Sequence, residues 1–177
     1  MRLFRGQVPL IAGQIVEVLT KVEPVTDSAD IEVHSADEVK LDLEAVFKEF
    51  IRTDRAVSEE ARDILDRDGL SRSMLGRTMA RVAKEKNFPT QDDRLPYLVE
   101  QVMTMLFHSN NVDDIFAEDH VMRKKITTVL RSHAGMEDEL DVEVRAKIKN
   151  LEEGTASFDI EYQRVMGQIK GRKNIDD

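Results

Sequence analysis

The chain has 177 residues, 26 basic and 35 acidic side chains, a formal net charge of −9 and 41% apolar residues, enough for a buried core under a dense charged surface. Without cysteine it can hold no disulfide, thiolate zinc site or thiol nucleophile. Its acidity argues against coating nucleic acid through bulk charge, although a local basic face remains compatible with it.

Taken in chain order, the first predicted element is an amphipathic helix over Val8–Val22. On a helical wheel Val8, Ile11, Ala12, Ile15, Val16, Val18, Leu19 and Val22 share one arc, while Gly13, Gln14, Glu17, Thr20 and Lys21 lie opposite. Those polar residues interrupt the continuous apolar run that a signal peptide needs. No other segment approaches the roughly 18–20 uninterrupted apolar residues of a membrane span. The expectation is therefore a protein without membrane association, resident in the cytoplasm, a reducing compartment in which cysteine-free chains are at home.

Residues 23–37, with Pro24, Asp27, Ser28, Asp30 and Ser35, read as a loop in which Asp30-Ile31-Glu32-Val33 alternates like a short extended piece. The helical period returns at Val39, Leu43, Val46, Phe47, Phe50 and Ile51. A third helix is predicted from Ser58, which is placed to cap it, to a stop at Gly69. A fourth carries Leu75, Met79, Val82 and Ala83 and ends near Asn87-Phe88-Pro89.

The second half repeats this order. Asp92 or Asp93 is placed to cap a helix bearing Leu95, Leu98, Val99, Val102, Met105 and Leu106, with Pro96 in its first turn. After the polar break Ser109-Asn110-Asn111 come Met122, Ile126, Val129 and Leu130. A short helix then runs from Asp141 to Leu151, stopped by Gly154, and a last one carries Phe158, Tyr162, Val165, Met166 and Ile169.

The two halves align. Pro9, Gln14 and Leu19 match Pro96, Gln101 and Leu106. Val46, Glu60 and Arg62 match Val129, Glu143 and Arg145. Arg77, Met79, Lys86 and Asn87 match Arg164, Met166, Lys173 and Asn174. The fold class expected is all-α: a tandem duplication of a four-helix unit, residues 1–88 and 89–177, packed as one compact helical body.

Over essentially its whole length the chain resembles a bacterial family catalogued as domain of unknown function 507. The resemblance rests on the opening Met1-Arg2-Leu3-Phe4-Arg5-Gly6-Gln7-Val8-Pro9, on Asp30-Ile31-Glu32-Val33, on Phe116-Ala117-Glu118-Asp119-His120-Val121, on Lys149-Asn150-Leu151-Glu152-Glu153-Gly154-Thr155 and on Ile160-Glu161-Tyr162-Gln163. It implies a small bacterial cytosolic protein and carries over no reaction and no catalytic residue.

Chemistry-bearing constellations are few. His108, Asp113, Asp114, Glu118, Asp119 and His120 supply N and O donors of the kind transition metals take. They lack the i, i+4 His pair of a zincin helix, however, and Asp113 and Asp114 fit a helix N-cap better. Neither a Gly-x-Ser-x-Gly elbow nor a Gly-rich phosphate loop is present, so no catalytic residue, metal ligand or cofactor is assigned. His34 falls in a loop, and His133 near a helix end, where a cationic imidazole is unremarkable. The Phe and Tyr residues occupy apolar helical positions, which leaves a base-stacking platform unsupported. Met103, Met105, Met122, Met136 and Met166 lie at core spacing.

Two basic elements remain. Arg77, Arg81 and Lys84 share a narrow arc of the fourth helix, and their counterparts in the second half are Arg164, Gln168 and Gly171. Arg123-Lys124-Lys125 form a second run. The functional expectation is a non-catalytic protein-interaction or regulatory module whose partner is another protein. The alternative is an RNA- or ribosome-associated factor that sets these six cations against phosphates.

Overall fold

The computed structural model describes residues 3, 5–24, 28–134, 136–148 and 156–172. Among them are seven α-helices and one two-stranded sheet: α1 (Val8–Thr20), β1 (Ile31–Val33), α2 (Ala36–Asp68), α3 (Leu75–Glu85), α4 (Arg94–His108), β2 (Val112–Ile115), α5 (Asp119–Ala134), α6 (Met136–Lys147) and α7 (Ala156–Arg172). The predicted helix end at Leu151–Gly154, the repeat identities Lys173 and Asn174, and Met1, Arg2 and Phe4 of the opening motif lie outside the described residues.

Local chemistry sets several boundaries. The Ser35 hydroxyl accepts from the Glu38 backbone N–H at the start of α2, and Asp37 and Glu38 place negative charge at its positive end. At the other end Gly69 adopts φ +62°, the left-handed conformation that glycine tolerates as a helix stop. Between these two signals α2 is a single helix of 33 residues, so the predicted second and third helices are one. Nothing in Arg52–Val57 breaks a helix, Val57 is buried, and the Ser58 hydroxyl donates back to the Asp54 carbonyl at 3.0 Å instead of capping a new start. Among the described residues the first half thus holds three α-helices, not four.

The strands form an antiparallel pair in which Ile31 faces Ile115, Glu32 faces Asp114 and Val33 faces Val112, with an irregularity between Glu32 and Val33. Helix packing crosses between the halves: α1 lies against both α2 and α5, and α4 against both α5 and α2. α3 packs on α2, and α6 on α7. One apolar core runs from Leu3 to Leu130 and draws on both sides of position 88; Ile11, Ile15, Leu19, Leu43, Phe47, Leu98, Met122 and Ile126 are almost fully buried within it. Each such side chain contributes on the order of 1.5–3 kcal/mol relative to exposure. A second, smaller cluster joins Leu140, Val144 and Ile148 of the α6 region to Phe158, Val165 and Ile169 of α7. No helix among the described residues is long and apolar enough to cross a membrane.

Candidate interaction surfaces

α3 is strongly two-sided. Thr78, Val82 and Ala83 are buried, while Arg77, Arg81 and Lys84, at i, i+4 and i+7, are exposed. Arg81 Nε stands 4.0 Å from Glu85, a pair more than half exposed on both sides and therefore weak. Among the described residues Arg77 and Lys84 have no ion-pair partner. The Asp68 carboxyl is held below its usual range, first by the hydrogen bond from Arg67, with Arg81 adding to the effect.

The second basic run is not one surface. Successive helical residues point about 100° apart, and the three cations of α5 meet different surroundings. Arg123 bridges Glu100 of α4 at 2.7 Å and Asp119 at 2.5 Å, and these hydrogen bonds, Glu100 first, raise its guanidinium pKa. Lys125 Nζ lies 2.9 Å from Glu23 and 2.7 Å from Asp30. Burial pulls the Lys125 ammonium down, but hydrogen bonds to Asp30 and Glu23 outweigh it, so the pKa is raised. Glu23 shows the reciprocal lowering, chiefly through its hydrogen bond to Lys125. Lys124 alone of the three is exposed.

The acidic and histidine residues between 108 and 120 are spread out as well. His108 Nδ1–H donates to the Thr104 carbonyl at 2.7 Å, and the exposed His120 pairs with the exposed Glu118 at 3.1 Å. Asp113 and Asp114 lie within β2 instead of capping a helix, because α5 starts only at Asp119. Among the described residues no group of three or more His, Asp or Glu is arranged to hold a metal ion. His34 is exposed, its backbone N–H donating to the Asn111 carbonyl.

His133 departs from expectation. It is buried, its Nε2–H donates to Gln14 Oε1 of α1 at 2.7 Å, and burial lowers its pKa, which favours the neutral imidazole over a cationic helix end.

Two further polar sites have no local sequence signal. The buried Arg94 forms a two-point ion pair with Asp54, forty residues away on α2, and its guanidinium lies 5.7 Å from the Phe88 ring centroid. Phe50, Phe88 and Tyr97 cluster beside it, with centroids 5.0–6.2 Å apart. Asp42 Oδ2 accepts from Ser109 Oγ at 2.8 Å and from Asn111 Nδ2 at 3.1 Å. These residues, with Met105, His108 and Asn110, line a solvent-open depression of about 360 Å³.

The fold and its surfaces define a mostly helical protein whose two halves share a small sheet. The chain belongs to the family described as protein of unknown function (DUF507), whose family model matches residues 1–175. No curated protein matches it.

Proposed function

We propose that this chain is a non-catalytic protein-interaction or regulatory module of the bacterial cytoplasm, built by tandem duplication, with the outer face of α3 as its contact surface. The observation that carries the proposal is the contrast among cations. Arg94, Arg123 and Lys125 are each held by carboxylates of another element or connection, whereas Arg77 and Lys84 project from α3 without an ion pair among the described residues. Core packing does not require charge on that face.

The duplication is supported by contacts that recur at equivalent positions. Asp42 and Lys125 are 83 residues apart, and each reaches from its long helix to the helix–strand connection of the other half. A Cβ placed on Gly13 of α1 would lie 3.8 Å from Lys40 Cε on α2; the aligned positions on α4 and α5 are Glu100 and Arg123, which form an ion pair. β1 and β2 occupy corresponding places, after the first helix of each half and before the next. The halves then diverge on the outer face: Arg164 is paired with Glu161, and Gln168 and Gly171 carry no charge.

The RNA alternative rests on the same cations, because exposed arginine and lysine also suit phosphates. A pull-down with the full chain, with and without nuclease and over a salt series, separates the two. The proposal expects a protein partner that survives nuclease and depends only moderately on salt. Capture abolished by nuclease, with the steep salt dependence of counterion release, would transfer the function to RNA.

A further inference from the structure

We propose that the depression between α2 and the α4–β2 connection binds the ammonium group of a lysine side chain presented by a partner protein. The inference deepens the interaction reading above and rests on the equivalence of the two halves.

That equivalence supplies an internal reference. At the position matching Asp42, Glu23 and Asp30, which lie between α1 and β1, reach Lys125, so an ammonium already sits between two carboxylates. The second-half connection, residues 109–111, is much shorter and offers Asp42 only a hydroxyl and an amide. The charge is reversed and left uncompensated: among the described residues Asp42 has no cationic partner. Beside Asp42 the space is open, a depression of about 360 Å³.

The lining chooses among cations. Both hydrogen bonds from Ser109 and Asn111 fall on Asp42 Oδ2, which leaves Oδ1 for one further donor. A guanidinium binds best through two parallel bonds to both carboxylate oxygens, whereas an ammonium is a point charge content with one. His108, whose Nδ1–H donates to the Thr104 carbonyl, and Asn110 stand on the same lining. A calcium ion would ask for six to eight oxygen ligands, and a single carboxylate does not make that set.

The test is an NMR titration of the ¹⁵N-labelled full chain with Nα-acetyl-lysine methylamide, using Nα-acetyl-norleucine methylamide as the uncharged control. Saturable shifts at residues 42 and 108–111 are expected for the lysine probe and not for the control. Asp42→Asn keeps an oxygen for Ser109 and Asn111 but loses the charge, and should weaken binding about tenfold, the worth of one charged hydrogen bond. Ala45→Lys leaves Asp42 intact while placing an ammonium one turn along the lining helix, and should also suppress binding. Equal shifts from the control, unchanged binding by Asp42→Asn, or no shift up to the solubility limit would overturn the proposal. So would tighter binding of 1,5-diaminopentane, which would make the ligand a free amine instead of a protein side chain. The titration does not read the α3 face, so a failure here leaves the α3 interaction reading to its own pull-down.

Discussion

His133 illustrates what a single side chain does to the pH dependence of this fold. Its imidazole is buried against Gln14, and burial lowers its pKa below the ordinary value near 6.5. The unfolded chain therefore takes up a proton at higher pH than the folded chain does. His133 contributes its full stability above about pH 6.5, and that contribution is lost as pH falls through the lowered folded value. Urea unfolding at pH 7.5 and 5.5 should show a larger loss for the wild type than for His133→Gln, and equal losses would remove His133 as the source. None of this was legible in the sequence, where His133 reads as a helix-end cation. Its partner lies 119 residues away, and only tertiary packing reveals the burial. Gly69, by contrast, was legible, because a left-handed helix stop is a local backbone requirement. The Asp54–Arg94 pair falls with His133: two charges forty residues apart carry no spacing signal.

At the scale of elements, α2 is where local signals and the fold part company. Ser58-Glu59-Glu60 has the composition of a helix start, yet the chain is already helical there and has no reason to stop. Proline at Glu59 separates the two readings. In the first turn of a new helix it would be tolerated, whereas in the middle of α2 it removes a backbone hydrogen bond and clashes with the preceding turn. Glu59→Pro should cost about 3 kcal/mol in urea unfolding. A loss within a few tenths would mean that a boundary lies at residue 58. The strands show the same contrast between local and long-range information. Asp30–Val33 alternates and reads as extended, but its partner Val112–Ile115 has two acids at its centre and imitates a helix cap. The pairing of β1 with β2 spans about eighty residues and is fixed by the packing of α1 on α5 and α4 on α2.

For the whole molecule, the helical periods of both halves were legible because apolar positions at 3.6-residue spacing mark a buried face wherever that face finds its neighbour. Which helix supplies the neighbour was not, and here it often comes from the other half. In the duplication proposed above, a shared core leaves the outer faces free to diverge: α3 carries Arg77, Arg81 and Lys84, and the aligned positions of α7 are Arg164, Gln168 and Gly171. In the function proposed above, the charge on α3 is the contact surface. The direct measurement is partner capture by the full chain carrying Arg77→Glu, Arg81→Glu and Lys84→Glu, beside a control with Arg164→Glu and Gln168→Glu. Both proteins should keep wild-type helicity and melting, because exposed charges away from special features change stability little. The α3 variant should lose most of the captured partner and the salt sensitivity of capture, while the α7 variant retains both. Undiminished capture by the folded α3 variant would show that this face is only solvated and is not the contact surface.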